Sequence, residues 1–525
     1  MKLYKSIAII FFAISLVSCG SELKDSRELK YLPSTVSVIP IPNSVLKAEG
    51  FFEIDKETSI SFDESFKESA NFLNTYLERG LKFKLKNISE FKFYQFYNHR
   101  SISFVSDNSI VNPEGYRITI SEKELLIEAS TGKGAFYAVQ TLRQLLPSSF
   151  EDSTYKKERV KLDLYKIEDK PLYSYRGFML DVARHFHSVK DVKHMIDLLS
   201  IYKINTLHLH LTDDQGWRIE IKSWPNLTVH GSKSSVKNEK GGFYTQDDYK
   251  EIQSYATKHK IMVIPEIDIP GHTNAALSSY AELNCDGVAT KPYYGTKVGF
   301  SSLCVDKDIT YKFIDDVFRE LSEITTGEYI HIGGDESHST KKSDYIPFVK
   351  RVIGIVKSHN KKVIGWDEIA TSDIDSTVIV QFWGKADNAK IAVEKGAKVI
   401  MSPSDRIYLD IKYNDSTKIG LTWAGRNPVD DAYNWKVDGY VKGVQTNNIL
   451  GIEAPLWSET VVTRADMEFL VFPRLIGVAE IAWSKEEDRN WESYNLRLAK
   501  QKYRLEALKV NFFKSDKVNW SNTSN

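Results

Sequence analysis

The sequence predicts an α/β protein, a (β/α)8 TIM barrel preceded by a smaller α+β domain. Eight short apolar runs recur over about 300 residues, and helical segments lie between several of them. Carboxylate and Trp residues follow the ends of most runs, where a barrel gathers its functional groups. The chain has 525 residues, too many for one ordinary core, so two domains are expected.

The N-terminus has the pattern of an export signal. Lys2 and Lys5 precede an apolar run of 11 residues at 7–17, which is too short to span a bilayer as a helix. The run ends in "LVSC", which is similar to a bacterial lipoprotein signal in which Cys19 is lipidated. An ordinary secretory signal with an incidental Cys is the alternative. We predict an exported bacterial lipoprotein, periplasmic or at the cell surface, held to a membrane only through its lipid anchor.

A hairpin and a helix are predicted upstream of the barrel. Residues 115–121 and 124–130 alternate polar and apolar positions around a two-residue turn. Residues 131–147 have helical spacing, with Thr131 as the cap, and stop at Pro147. The predicted segments are the signal peptide at 1–19, a polar tether at 20–35, a non-catalytic α+β domain at 36–167 and the catalytic barrel at 168–515.

The barrel prediction depends on the order of strands and helices. Residues 189–203 and 245–260 have helical periodicity and lie between apolar runs. A doubly wound open sheet is the alternative, but it would normally carry a Gly-rich phosphate turn after its first strand, and "DVARHF" is not one. The predicted strands are 174–181, 205–211, 261–268, 329–334, 362–368, 377–384, 398–403 and 449–457.

Charge and composition narrow the class of ligand. Lys+Arg and Asp+Glu are equal at 70 each, so nothing attracts nucleic acid or anionic lipid by net charge. Aromatic residues make up 12% of the chain, which suits stacking on neutral ligands, although large cores use aromatics as well. No nucleic-acid partner is expected, and the sequence leaves the oligomeric state open.

Two adjacent carboxylates, Asp335 and Glu336, follow the fourth predicted strand in "YIHIGGDESHST". Side chains that are neighbours in an extended chain diverge, so the pair is poorly placed as an opposed acid and nucleophile. A division of labour fits better, because two close carboxylates in an apolar pocket have pKa values that move apart. The alternative is a structural pair that caps the following helix.

Three Trp residues, Trp366, Trp383 and Trp457, each lie at the end of a different predicted strand. Each alone is more often a core residue, but three at one face of a barrel indicate a ligand cage. Aromatic walls with carboxylates and Arg suit a sugar ring, whose CH faces stack while its hydroxyls bind charges.

Several His and charged residues could have a structural role instead of binding a ligand or a metal. His208 and His210 lie within one predicted strand and could suggest a metal site, but barrel interiors are packed and no third ligand follows at matching spacing. We therefore interpret both as structural or supporting. Arg176 competes as a sugar-binding Arg, but it precedes the core of its strand. Further supporting groups are predicted at Glu266, Asp268, Asp367 and Glu368.

Two cysteines remain after the signal, Cys285 and Cys304, and they flank a loop that contains Gly and Tyr. In an exported protein, two such cysteines suggest one disulfide, which would stabilise the fold by about 3 kcal/mol. Two unpaired thiols are the alternative.

The chain resembles glycoside hydrolase family 20, the β-N-acetylhexosaminidases. The likeness extends over nearly the whole mature chain, including the domain before the barrel, and "HIGGDE" is its most specific motif. The matching stretches are "RGFMLDVARHF", "LHLHLTDDQGWRIEI", "PEIDIPGHT", "HIGGDE", "GWDE" and "LWSE".

The resemblance implies a retaining mechanism in which the substrate's own 2-acetamido oxygen attacks the anomeric carbon. Glu336 would be the general acid and then the base, and Asp335 would hold the acetamido N–H. The substrate would be a glycan with terminal GlcNAc or GalNAc, and neither cofactor nor metal is expected. The remaining implied roles are Tyr408 on the acetamido oxygen, Trp366, Trp383 and Trp457 around the sugar, Arg184, Asp410 and Glu459 on ring hydroxyls, and Asp213 with His272 behind Glu336.

Four other functions remain open from the sequence. A lipoprotein that binds glycans without cleaving them would not need the carboxylate pair or Tyr408. A disaccharide-releasing member of the same family would share every motif. The other substrate-assisted barrel family would carry a "DxxDxDxE" run, which this sequence lacks. A metal-dependent hydrolase would need a ligand set that the sequence does not show.

Overall fold

The computed structural model describes residues 29–88, 100–154 and 156–521. Within them, an eight-stranded mixed sheet is followed by a closed barrel of eight parallel strands. The predicted fold class is therefore confirmed. The signal at 1–19, with Cys19, lies outside the described residues. Among the residues that are described, no helix combines the length and apolarity needed to cross a membrane.

The N-terminal sheet carries two helices, α1 (Lys67–Gly80) and α2 (Gly132–Leu145), packed against it and each other. The predicted hairpin is present as an antiparallel strand pair, and the Thr131 side chain caps α2 by accepting hydrogen bonds from two backbone N–H groups. In spatial order the strands run β1-β2-β8-β6-β7-β5-β3-β4. Their bounds are β1 (Leu32–Pro33), β2 (Ser44–Ile54), β3 (Ser59–Phe62), β4 (Lys86–Ile88), β5 (Ser101–Ser106), β6 (Tyr116–Ile120), β7 (Glu124–Ala129) and β8 (Val160–Asp169).

The barrel strands coincide with the eight predicted apolar runs. They are nearly all buried, because helices cover the outer face and side chains fill the interior. The last strand pairs with the first in parallel, and this closure excludes the doubly wound sheet. The strands are β9 (Tyr175–Asp181), β10 (Thr206–His210), β11 (Met262–Glu266), β12 (Tyr329–His331), β13 (Lys362–Trp366), β14 (Ile379–Phe382), β15 (Lys398–Met401) and β16 (Ile449–Leu456).

Several of the helices that surround the barrel begin at a capping box. Ser188 and Asp191 form a capping box at the start of α3, and Thr245 and Asp248 do so at α5. The helix bounds are α3 (Val189–Ile201), α4 (Asn226–Val229), α5 (Gln246–Lys258), α6 (Asn274–Ser279), α7 (Asp308–Ile324), α8 (Lys342–Ser358), α9 (Ala386–Glu394), α10 (Ser404–Ile407), α11 (Arg464–Val471), α12 (Arg474–Trp483) and α13 (Trp491–Ala507).

Arg176 ties the barrel to the N-terminal domain. It is fully buried at the amino end of β9, and its guanidinium donates to Glu114 at 2.7 Å and lies 4.9 Å from the Trp483 ring centroid. The pocket described below lies at the opposite, carboxyl ends of the strands. Arg176 is therefore an interdomain residue and not a sugar-binding one, as its place in the strand indicated.

Replacing Arg176 by Met is expected to lower the free energy of unfolding by about 3–5 kcal/mol, because the buried Glu114 carboxylate loses its partner. Denaturant titration would measure the loss. The exposed Lys350–Asp373 pair, also 2.7 Å apart, supplies the control, since Lys350→Met should cost less than about 1 kcal/mol. Equal small losses in both variants would contradict the interdomain role.

Candidate active site

A pocket of about 460 Å³ opens at the carboxyl end of the barrel. Eight of the predicted site residues line it, while Asp213, His272 and Asp410 lie buried outside its wall. The lining is Arg184, Thr296, Val298, Asp335, Glu336, Trp366, Trp383, Tyr408, Leu421, Trp423, Trp457 and Glu459.

A tight glycine turn presents the two carboxylates. Gly333 has a φ of +65°, and a Cβ there would lie 1.8 Å from an Asp268 carboxylate oxygen, so no other residue fits. The same Asp268 oxygen accepts a hydrogen bond from the Gly334 N–H at 3.0 Å. Glu336 itself has a φ of +42°, a left-handed conformation that is uncommon outside glycine and is concentrated at functional sites.

Asp335 and Glu336 do not diverge, because the backbone at Glu336 is not extended. The expectation drawn from an extended chain was wrong on this point. One oxygen of each carboxyl and a nitrogen of His272 lie within 4.8 Å of one another. His272 Nε2 is 3.7 Å from Asp335 Oδ2 and 3.6 Å from Glu336 Oε2. A single imidazole therefore faces both carboxyl groups.

The two carboxyl groups have opposite pKa shifts. Burial, together with the charge of Asp268, raises the pKa of Asp335 well above its usual range. Burial also acts to raise the pKa of Glu336, but the adjacent His272 outweighs it and the pKa is lowered. His272 is itself buried, yet the charges of Asp213 and Asp335 raise its pKa well above the usual value, so it is an imidazolium at neutral pH.

Asp213, and not Asp214, faces the site. Its Oδ2 lies 3.2 Å from His272 Nδ1, 3.0 Å from His210 Nε2 and 2.6 Å from Arg184 Nη2. Burial alone would raise the pKa of Asp213, but Arg184 and His272 hold it well below the usual range. Asp214 points the other way, toward backbone and hydroxyl groups. The structure thus resolves which of the adjacent carboxylates supports His272.

Among the predicted catalytic and substrate-binding residues, three carboxylate oxygens are buried without a hydrogen-bond partner in the described part of the chain: Asp335 Oδ1, Asp410 Oδ2 and Glu459 Oε2. Burial raises the pKa of all three groups, most strongly for Asp335 and Asp410. A buried polar atom without a partner costs about 1–3 kcal/mol. These atoms are therefore suited to accept from, or donate to, hydroxyl and amide groups of a ligand.

The three predicted Trp residues line one wall of the pocket. Trp366 and Trp457 have ring centroids 5.7 Å apart, and the Trp366 indole N–H donates to Glu266 at 2.8 Å. The Trp383 indole N–H donates to Glu368 at 3.1 Å, which fixes that ring as well. The three side chains thus line one pocket, and that they enclose a ligand stays a prediction.

Sequence reasoning missed Trp423. It is 55% exposed at the pocket mouth, with its ring 5.9 Å from Tyr408 and 6.1 Å from Trp383. It belongs to the long segment between β15 and β16, where no strand or helix periodicity marks its position. The available signal was a lone Trp in "LTWAG", a glycine-bounded turn of an aromatic-rich barrel.

The loop closed by Cys285 and Cys304 forms part of the pocket lining. The predicted disulfide is present in the structure. The loop contributes Thr296 and Val298 to the pocket. It is tied to the segment after Glu336, because the Ser339 hydroxyl donates to the Gly299 carbonyl at 2.8 Å. The disulfide therefore braces the side of the pocket that carries Glu336.

Removing this disulfide by a double Cys→Ser change at 285 and 304 is expected to lower the free energy of unfolding by about 3 kcal/mol, because it frees a loop closed over a 19-residue separation. Chemical denaturation with and without reductant would measure it. Reductant should destabilise the parent and leave the double variant unchanged. A variant as stable as the oxidised parent would contradict the bracing role.

Buried His and carboxylate groups come close enough in the described part of the chain to hold a metal ion, for example His208, Glu266 and His331. Their atoms already pair with one another: His208 Nε2 and His331 Nδ1 each lie 3.0 Å from a Glu266 oxygen. Contacts among the protein's own side chains therefore account for the cluster. That the protein uses no metal stays a prediction.

Together, the closed parallel barrel and a pocket with paired carboxylates and an aromatic wall define a barrel glycoside hydrolase. The sequence model for the catalytic domain of glycosyl hydrolase family 20 matches residues 173–346 and 337–486, and that for domain 2 matches 35–170. The chain belongs to glycosyl hydrolase family 20. It is a glycoside hydrolase, and its relatives are named as β-N-acetylhexosaminidases.

Named relatives and solved structures agree with this assignment. A β-N-acetylhexosaminidase of Cellulomonas fimi is 40% identical, covering 79% of this chain and 83% of its own. A β-hexosaminidase of Porphyromonas gingivalis is 32% identical, and the match covers 96% of this chain and 68% of that one. The family 20 β-N-acetylhexosaminidase of Streptomyces coelicolor superposes with a TM-score of 0.89 at 42% identity, covering 94% of this chain and all of that one. A mutant Streptomyces plicatus β-hexosaminidase in complex with GlcNAc has a TM-score of 0.88 at 42% identity. The match covers 94% of this chain and 99% of that one.

Proposed function

We propose that the protein is an exo-acting, retaining β-N-acetylhexosaminidase that releases terminal, non-reducing GlcNAc or GalNAc by substrate-assisted catalysis. The observation that carries this proposal is the placement of Asp335 and Glu336 on one turn, facing one imidazole. Retaining glycosidases with a protein nucleophile place two carboxyl groups on either side of the scissile bond. A pair on one turn is poorly placed to flank the bond, which supports a nucleophile supplied by the substrate.

In the first step the acetamido oxygen of the substrate attacks the anomeric carbon. The bond from that carbon to the leaving-group oxygen breaks, and Glu336 gives its proton to that oxygen. Asp335 accepts a hydrogen bond from the acetamido N–H and stabilises the positive charge of the oxazolinium that forms. In the second step Glu336, now a carboxylate, takes a proton from water as the water attacks the anomeric carbon, and the bond from that carbon to the acetamido oxygen breaks, which restores the acetamido group. Two inversions give net retention.

Tyr408 fits the acetamido oxygen. Its side chain is 2% exposed, and burial raises the pKa of its hydroxyl well above the usual value, so the group stays protonated and can donate. Trp366, Trp383 and Trp457 would surround the acetamido methyl and the ring. Arg184, whose guanidinium lies 4.7 Å from the Trp457 ring centroid, would bind ring hydroxyls with Asp410 and Glu459.

Catalysis requires the proton on Glu336 and the charge on Asp335, the reverse of the order in which the protein groups shift their pKa values. Substrate supplies the difference. Its N–H donates to Asp335, which favours the carboxylate, and its ring covers the Glu336 side chain, a burial that favours the neutral acid. We therefore expect substrate binding to lower the pKa of Asp335 and to raise that of Glu336.

The test is hydrolysis of chromogenic β-GlcNAc, β-GalNAc and β-glucose glycosides by the purified protein. We expect cleavage of the two acetamido sugars and little of the glucoside, which has no internal nucleophile, with no effect of a chelator. Comparable cleavage of the glucoside would contradict the mechanism. Binding of GlcNAc glycosides without cleavage would favour a glycan-binding lipoprotein, and cleavage of disaccharide glycosides only would favour a disaccharide-releasing enzyme.

We also propose that the protein is exported and anchored through a lipid on Cys19, on the basis of the "LVSC" motif after the apolar run at 7–17. Cys19→Ser is expected to move the protein from the membrane fraction of a bacterial host to its soluble fraction and to abolish labelling by a palmitate analogue. A Cys19→Ser protein that fractionates like its parent would contradict the anchor.

A further inference from the structure

A continuous chain of buried acidic and imidazole side chains runs from Glu336 into the barrel interior. His272 faces Glu336 at 3.6 Å and contacts Asp213 through its other nitrogen at 3.2 Å. Asp213 contacts His210 Nε2 at 3.0 Å, and His210 Nδ1 lies 2.5 Å from Glu266 Oε2. Carboxylate and imidazole groups alternate along this chain, and each contacts the one that follows. The chain thus extends two side chains beyond the Asp213–His272 pair.

The chain continues across the barrel. Glu266 Oε2 lies 3.0 Å from His208 Nε2, and His208 Nδ1 lies 2.9 Å from Glu453 Oε1. Glu453 accepts further hydrogen bonds from Gln381 at 2.7 Å and from the Tyr175 hydroxyl. The exposed fraction of each of these side chains is 4% or less. Seven ionisable groups are therefore linked from β16, through β10 and β11, to the turn after β12.

The charges along this chain alternate. Burial opposes charging His208 and His210, but their carboxylate neighbours prevail, and the pKa of His208 rises to about 9. Burial likewise acts to raise the pKa of Glu266 and Glu453, and the imidazoles outweigh it, so both are lowered. Anions and cations thus follow one another at neutral pH.

Such a core is costly, and packing alone does not explain it. Barrel interiors are usually filled with Val, Ile and Leu, and replacing buried ion pairs by apolar residues is often neutral or stabilising. The chain also contacts pocket residues: the Glu266 carboxylate holds the Trp366 indole, and His210 packs against the Trp457 ring at 4.9 Å. The other charged or titratable groups facing it are Arg184, Asp181, Asp268, His331 and Asp335.

Building on the proposed function, we propose that His210, Glu266, His208 and Glu453 are positioning residues for proton transfer by Glu336. They hold the Asp213 carboxylate in the orientation that directs the His272 N–H toward Glu336. When Glu336 gives up its proton, its new carboxylate lies beside that imidazolium and is stabilised by it. The chain therefore assists steps in which Glu336 transfers a proton, and it does not assist bond cleavage that needs no proton.

The test compares two β-GlcNAc glycosides that differ in their need for an acid. A dinitrophenyl group leaves without protonation, whereas a methyl group needs it. In Glu266→Gln and His208→Gln, kcat/KM for the methyl glycoside is expected to fall about 10–100-fold further than kcat/KM for the dinitrophenyl glycoside. This difference is smaller than the full contribution of general acid catalysis, because Glu336 itself is retained. Glu453→Gln, which keeps the side-chain shape and lies farthest from Glu336, should show the same discrimination to a smaller extent.

The matched control is Glu480→Gln. Glu480 is also fully buried and pairs with Arg497 at 2.5 Å, but it contacts no member of the chain. It should lower the thermal unfolding temperature and leave the ratio of the two kcat/KM values unchanged. Equal losses on both glycosides in the folded chain variants would overturn the proposal. Should Glu266→Gln not fold, Glu453→Gln decides. A parent protein that cleaves neither glycoside would overturn the proposed function instead.

Discussion

Glu336→Gln is expected to lower kcat/KM for glycosides with poor leaving groups by about 10²–10⁴-fold, the usual contribution of a general acid. Glutamine keeps the shape of the side chain but has no proton to give. A dinitrophenyl glycoside needs no protonation to leave, so its kcat/KM should be affected far less. Circular dichroism and thermal unfolding of the variant would show that the fold is intact.

The pH dependence of kcat/KM provides a second test of the role of Glu336. Only the form with Glu336 protonated and Asp335 charged is active, so kcat/KM of the parent should fall on both sides of a pH optimum, and the loss of the Glu336 proton gives the basic limb. In Glu336→Gln, this basic limb should be absent for the dinitrophenyl glycoside. Equal losses on both classes of leaving group, or an unchanged basic limb, would show that another residue is the acid.

Asp335→Asn is expected to lower kcat by about 10²–10³-fold, the range seen when one preorganised electrostatic contact to the transition state is removed. The amide oxygen of Asn can still accept the acetamido N–H, so KM should change little. What is lost is the negative charge beside the oxazolinium. Steady-state kinetics with binding of the product GlcNAc as a control would separate the two effects.

The charge that Asp335 must carry sets the sign of its pH effect. A protonated carboxyl lacks the negative charge that stabilises the oxazolinium, and the pKa of Asp335 is raised by burial, so activity of the parent should fall on the acidic side of its pH profile. This acidic limb should be absent in Asp335→Asn. A variant with normal kcat and a raised KM would mean that Asp335 only binds substrate.

The barrel could be predicted because its strands are buried on both faces. Each therefore has a continuous apolar run, such as that of 398–403, that needs no knowledge of its neighbours. The residues around the pocket could also be predicted, because the carboxyl ends of parallel strands lie at one face of the barrel. Asp335 and the Trp residues were found in this way, because each lies at or just past the end of a run.

What failed depended on backbone detail or on contacts distant in sequence. The divergence expected of Asp335 and Glu336 assumed an extended chain, and a positive φ at Glu336 cannot be read from residue types. Trp423 lies in a segment without periodicity. His208 was recognised as supporting, but its partners Glu266 and Glu453 come from strands far along the chain. No spacing rule could bring them together.

The most direct test of the account is the identity of the nucleophile. It would use aryl β-glycosides of glucosamine whose N-acyl group is acetyl, fluoroacetyl, difluoroacetyl or trifluoroacetyl, with kcat/KM measured for each. Each fluorine withdraws electrons from the acyl oxygen. If that oxygen attacks the anomeric carbon, kcat/KM should fall steeply and in order along the series. Rates that stay level across the series would place the nucleophile on the protein and contradict substrate-assisted catalysis.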